Sequence, residues 1–148
     1  MRKNSSGVPS VLDVFMVTLL AVIAVHAQSP ATAPASAKYG VYTKAQAERG
    51  QKVFDASCAS CHALEPKGKV TSDAPGPELA GDDFLTHMSG KPTWALAKVI
   101  KDTMPNDFSI EVTEPMALDL AAYILQVNKF PAGQTELTAD TAKTAIIK

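Results

Sequence analysis

Five consecutive residues, Cys58-Ala59-Ser60-Cys61-His62, restrict this chain more than any other stretch of it. Two cysteines three positions apart, followed at once by a histidine, form the pattern of covalent attachment of a c-type haem. The chemistry accounts for the spacing. Each thiol adds to one vinyl group of the porphyrin, and a single helical turn sets both sulfurs on the same side. The imidazole, adjacent to the second thioether and four residues from the first, then reaches the iron as proximal ligand. In a chain of 148 residues such a group forms a large part of the hydrophobic core. The remaining segments read as what holds, covers and addresses it.

Three other chemistries use closely spaced cysteines. A zinc half-site needs two further ligands, yet Cys58 and Cys61 are the only cysteines, and His26 and His87 the only other histidines. Adjacent Cys61 and His62 also make awkward tetrahedral partners. A thioredoxin-like dithiol follows a strand in a βαβ unit, whereas this pair follows a helical pattern. A disulfide across two residues would close a loop too small for much entropic gain.

The length allows one domain. Residues 1–27 read as a secretory signal peptide: Arg2 and Lys3 supply the positive start, Val14 to Val25 an apolar run of 12 residues, and Val25-His26-Ala27 a small-residue cleavage site before Gln28. An uncleaved anchor is the alternative, but the run falls short of the roughly 20 residues that a spanning helix needs. No lipobox cysteine follows it. Without Arg2, Lys3 and Asp13, the mature chain carries 12 basic and 14 acidic side chains. That balance provides neither a nucleic-acid surface nor a lipid-binding one. Export suits the cysteines, since two thioethers leave no free thiol, and the expected compartment is the periplasm.

Residues 28–38 are Pro, Ala, Ser and Thr with almost no bulky apolar side chain, the composition of a flexible leader. Thr43 with Gln46 three residues on is a capping-box pattern. It opens a helix to about Ala56 with Ala47, Gly50, Gln51 and Phe54 on one face. Gly50 inside that helix costs about 1 kcal/mol relative to Ala, which close packing would explain. The stretch from Ala63 to Gly81 is irregular and long enough that it must pack against something. At its end Gly76-Pro77-Glu78-Leu79 reads as a stiff turn bringing backbone to the proximal side of the haem. Asp82 to Ser89 reads as a short helix. Thr93 is placed to cap a helix from Trp94 to about Asp102. Thr113 caps a last one, with Glu114 and Pro115 in its first turn and Leu120, Tyr123, Ile124 and Val127 along one face. Residues 134–148 read as a loosely packed tail. The expected fold is all-α, about four helices wrapped around one haem.

A c-type haem is closed by a second axial ligand, usually Met or His, or left open for small molecules. Met88, Met104, Met116 and His87 are the candidates. Met116 falls inside the last helix, and His87 and Met88 on the short helix before Gly90. Met104 lies in a loop, where Pro105 removes a backbone donor and stiffens the following turn. A fixed thioether needs such a setting, and Met104 is the expected ligand.

These features, in this order, resemble a class I c-type cytochrome over about residues 39–133. The carriers are the helix with Gly50 and Phe54, CASCH, GPEL, the Thr103-Met104-Pro105 segment, and the helix with Leu120 and Tyr123. The resemblance implies that the first and last helices cross, with Gly50 and Phe54 facing Leu120 and Tyr123. It implies that the Pro77 carbonyl accepts the Nδ1 proton of His62, that Leu79 packs on the haem, and that Met104 gives its sulfur to iron. More narrowly, ERGQxVFxxxCASCH and AAYILQxNxFPAG resemble the single-haem cytochromes found with periplasmic quinoprotein and other dehydrogenases. One departure is the presence of His87 and Met88 where that family has a tryptophan-bearing helix. Trp94 is left between a haem propionate and the core.

The function implied is one-electron transfer, not catalysis. The partners are a periplasmic dehydrogenase as donor, or a complex with it, and a terminal oxidase or another cytochrome as acceptor. Lys67, Lys69, Lys91, Lys98 and Lys101 are candidates to ring the haem edge and steer docking. The alternative is a peroxidase-like enzyme or gas sensor with a displaceable sixth ligand. A peroxidase requires a distal base and an arginine near iron. The mature chain has one arginine, Arg49, ahead of CASCH, and one free histidine, His87.

Overall fold

Helix α1 (Lys44–Ser57) begins where Thr43 turns its hydroxyl back to accept the Gln46 amide at 3.1 Å. This satisfies one of the orphan donors at the helix start. The capping box is only half formed. The Gln46 side chain points inward instead, its Nε2 donating to the Leu137 carbonyl (2.9 Å) and its Oε1 accepting the Leu137 amide (2.7 Å). Helices α2 (Asp82–Met88), α3 (Thr93–Thr103), α4 (Glu114–Val127) and α5 (Ala139–Thr144) follow, with a short 3-10 turn at Ala37–Tyr39 ahead of α1. The computed structural model describes residues 35–64 and 69–148, all within one unit, Thr32–Lys148. The expected signal peptide, most of the expected leader and Lys67 lie outside the described residues. Among the described residues, only isolated bridges accompany the five helices, and no helix is long and apolar enough to cross a membrane.

The fold is all-α, and its main packing is α1 against α4. Gly50 is what lets them meet. A Cβ at that position would lie 1.9 Å from the Asp119 carbonyl oxygen, so only glycine permits this crossing. Along the same contact the Phe54 and Tyr123 rings sit 5.6 Å apart, tilted at 59°, within the range of favourable aromatic pairs. Leu120, Ala121, Ile124 and Leu125 fill the interior behind them. Helix α4 starts as expected, with Thr113 accepting the Met116 amide and Pro115 in the first turn.

Two expectations fail at the chain ends. Residues 134–148 are no loose tail: Leu137, Ala142, Ala145 and Ile147 are buried in the core. Helix α5 has its own capping box between Thr138 and Thr141. The Ile147 amide donates to the Lys91 carbonyl (2.9 Å), and the Gly90 amide to the Ile147 carbonyl (2.7 Å). The leader is not free to its end either. Ala37 is fully buried, its amide donating to Ile146 at 2.8 Å, and Ile146 in turn donates to Ala35 at 2.7 Å. The physical reason is non-local. Two short segments of small apolar residues bury little separately, but together they pair with each other and pack on the start of α3. Thr93 is drawn into this arrangement. It is the first residue of α3 and donates its hydroxyl to the Ala142 carbonyl (3.0 Å) rather than capping the helix, whose N-cap is Pro92.

Candidate haem site

The motif continues the last turn of α1. The Cys58 amide still donates to Phe54 (2.8 Å), and the Cys58 carbonyl then accepts both the Cys61 amide (3.1 Å) and the His62 amide (2.9 Å). The two thiols are not bonded to each other. Burial pushes the Cys58 thiol upward, with neighbouring Cys61 adding to the effect. A redox-active dithiol needs the opposite shift. Among the described residues no cluster of His, Cys, Asp or Glu could supply the missing ligands of a zinc site.

The irregular stretch after His62 is sewn back onto the motif. The Ser60 carbonyl accepts the amides of Thr71 (3.0 Å) and Ser72 (2.9 Å), Cys61 accepts Gly76 (2.9 Å), and Ala63 accepts Leu79 (2.9 Å). This brings the Pro77 carbonyl oxygen to 2.9 Å from His62 Nδ1. An imidazole donating from Nδ1 leaves Nε2 free for a metal and fixes the ring's orientation. Gly76 presses on the same ring: a Cβ there would come within 2.4 Å of His62 Cε1. Asn128, at the end of α4, clamps the far side of the turn. Its Oδ1 accepts the Gly81 amide (3.1 Å), and its Nδ2 donates to the Leu79 carbonyl (2.9 Å) and to Ile124 (2.8 Å). Sequence reasoning placed Asn128 at the end of the last helix and in the AAYILQxNxFPAG segment but gave it no role at the haem site. The available signal was an asparagine at a helix end facing a Gly/Pro turn.

Met104 ends α3, its amide donating to Ile100 at 3.1 Å, and its side chain is half-buried. A cavity of about 110 Å³ is lined by Phe54, Cys58, His62, Pro77, Leu79 and Met104 together with Leu96, Val99, Ile100, Leu120 and Ile124. Two more cavities share its lining residues. One of about 700 Å³ adds Phe84, His87, Met88 and Lys91 beyond Leu79, Leu96 and Val99. Another of about 340 Å³ adds Cys61 and Pro105 beyond Cys58, His62 and Met104. The fold therefore brings Cys58, Cys61, His62, Pro77, Leu79 and Met104 to one place. His87 and Met88 line only the widest cavity. Met116 packs against the core and lines none of the three. Trp94 also lines none of them. It packs on the core with the Lys143 ammonium 5.9 Å from its ring centroid.

A family model described as cytochrome c matches residues 47–128, more than half of the chain and a span that holds all six candidate residues. The chain belongs to the cytochrome c family. No curated protein and no solved structure matched it. As a cytochrome c it carries one haem c, joined covalently through Cys58 and Cys61 of its CXXCH motif. The residues present fit that group. The Cys58 thiol, an imidazole and a thioether line one cavity whose other side chains are apolar, and the Cys61 thiol lines the adjoining one. With haem bound, such apolar walls would limit the access of solvent to the iron. The C-terminal segment that closes over α3 lies beyond the matched span.

Proposed function

We propose that this electron carrier works in the periplasm, with its haem iron held between His62 and Met104. It takes single electrons from a dehydrogenase and passes them to a terminal oxidase or another cytochrome. The observation that carries the reading is that His62 and Met104 line the same apolar cavity, with Pro77 oriented on the histidine. Haem supplies the one-electron couple, and a His/Met pair raises its potential and leaves no open position for substrate. The chain's own work is then fourfold. Pro77 and Gly76 hold the imidazole, Phe54, Leu79 and Leu96 keep water out, Met104 closes the sixth position, and the surface selects partners. The export reading of residues 1–27 and the thioether use of both cysteines support the compartment. The donor class rests on the resemblance of the CASCH and AAYILQxNxFPAG segments to dehydrogenase-linked cytochromes.

A peroxidase-like reading finds less support. Arg49 is engaged on α1 by Asp119 (2.8 and 2.9 Å) and Glu136 (2.9 Å). Both carboxylates hold its guanidinium well above the usual arginine range. His87 Nδ1 lies 2.8 Å from the Asp83 carbonyl oxygen on its own helix.

The test is spectroscopic. The oxidised protein is expected to show the weak near-infrared band of sulfur-to-iron charge transfer and, when reduced, to bind carbon monoxide poorly. Met104→Ala should abolish the band completely, open the site to carbon monoxide and lower the potential, because a soft thioether favours ferrous iron. Met88→Ala, Met116→Ala and His87→Ala should each keep the band. A band surviving in Met104→Ala would remove Met104 as ligand. Its absence from wild type, with rapid carbon monoxide binding, would favour an open-site enzyme or sensor.

A further inference from the structure

The loop after Met104 presents an aromatic ring to solvent. Phe108 is 82% exposed, and its backbone sits at φ +55°, a conformation that bulky side chains rarely adopt. Two hydrogen bonds hold it there. The Phe108 amide donates to the Pro105 carbonyl (3.0 Å), and the Asp107 carboxylate accepts the Ser109 amide (3.0 Å). Next to the ring is a cavity of about 350 Å³ lined by Met104, Phe108, Ile110 and Val112 together with Lys101 and Glu111. From residue 101 to 114 the chain has one lysine against four carboxylates, Asp102, Asp107, Glu111 and Glu114. That lysine lies 3.7 Å from Asp102, which Lys98 also pairs with. Asp107, Glu111 and Glu114 are exposed. Two of the lysines expected to steer docking are therefore tied to a carboxylate, and the surface beside Met104 is acidic around an apolar centre.

We propose that this Phe108-centred face docks a redox protein that presents a basic rim around an apolar recess, and that electrons cross by way of Met104. The route rests on Met104 being the axial ligand. The chemistry is that of a small transient interface. An aromatic anchor loses its water at the centre, and charges at the rim set encounter rate and orientation. The cavity beside Phe108 is also lined by Met104, so a partner seated there meets the residue that carries the proposed ligand.

The experiment uses the full-length ferrous holoprotein and two one-electron oxidants of opposite charge. Tris(phenanthroline)cobalt(III) is an aromatic cation and goes to cobalt(II) as the haem iron goes from ferrous to ferric. Ferricyanide is an anion without an aromatic surface. Phe108→Ser should slow oxidation by the cobalt complex about threefold, the size expected when an exposed aromatic contact with a cation is lost, and leave ferricyanide unchanged. Glu111→Gln should also slow the cobalt reaction while ferricyanide is unchanged or faster. Unaltered cobalt rates in both variants would overturn the proposal. Equal slowing with both oxidants would overturn it too, by tracing the effect to a disturbed haem. The near-infrared band, recorded in every sample, separates the two readings. A wild type without the band removes the methionine route even if cobalt selectivity persists. A concentration-dependent dimer lost in Phe108→Ser would assign the face to a second copy of this chain instead.

Discussion

Between His62 and Gly81 the chain is tied to distant neighbours, whereas between Met104 and Val112 it is tied mostly to itself. In the first region Gly76 and Leu79 bond back to Cys61 and Ala63, Pro77 to His62, and Leu79 and Gly81 to Asn128 on α4. Among the described residues, the hydrogen bonds of the second region join positions at most four apart: Met104 to Ile100, Phe108 to Pro105, Ser109 to Asp107. Both regions flank the same cavity. The one carrying the proposed proximal imidazole is braced from several elements, and the one carrying the proposed thioether ligand hangs from the end of α3. Local openings are drawn from segments with few long-range contacts, so the Met104 side should open first.

The strongest attack on that comparison is Gly76→Ala. The added methyl would meet an imidazole fixed by its attachment and by Pro77, with only 2.4 Å available at Cε1. Overpacking of this kind costs about 1–3 kcal/mol, and the rigidity of the ring argues for the upper part of that range. Guanidinium unfolding of the ferric holoprotein measures it. A loss below about 0.5 kcal/mol would mean that the proximal loop is as compliant as the distal one.

Asn128→Ala is the next step down. It leaves the Gly81 amide and Leu79 carbonyl unpaired in a half-buried setting, at a cost of about 1–2 kcal/mol. The sharper readout is hydrogen exchange. Protection at Gly81 and Leu79 should fall while the near-infrared band is kept. Loss of the band with unchanged exchange would couple the two regions more tightly than their hydrogen bonds indicate.

What sequence reading captured and missed follows the same division between local and distant contacts. Helices α1 and α4, the Thr43 and Thr113 caps and the close packing at Gly50 were legible because each is encoded within a few residues. CASCH was legible because its chemistry imposes its own spacing. The Pro77 contact came only through family resemblance, since nothing local to Pro77 names an imidazole fifteen residues away. Gln46 looked like a capping-box partner, yet a pair of bonds to Leu137 outcompetes the local one. The buried roles of Ala37, Ala145 and Ile147 could not be read from composition, because each depends on the other chain end being in place.

The smallest effect tests the weakest tie, Asp107. The Ser109 amide, with the Ser109 side chain, holds its carboxyl below the usual aspartate range. A depressed folded-state pKa stabilises the loop fully above the unfolded value of about 3.9, and the contribution disappears as pH falls through the lower folded value. A charged acceptor also bonds the amide more strongly than a neutral amide oxygen does. At pH 7, Asp107→Asn should therefore speed carbon monoxide binding to the ferrous protein, by no more than about twofold because the group is fully exposed. As pH falls through that lower folded value the wild-type carboxylate becomes neutral as well, and the two rates should converge. Carbon monoxide does not titrate, so the ratio of the two rates isolates the loop from the acid response of the rest of the protein. A ratio that grows toward low pH would reverse the sign and place the pH-sensitive tie elsewhere. A ratio of one throughout would show that opening at Met104 is limited by α3 itself and not by the turn that follows it.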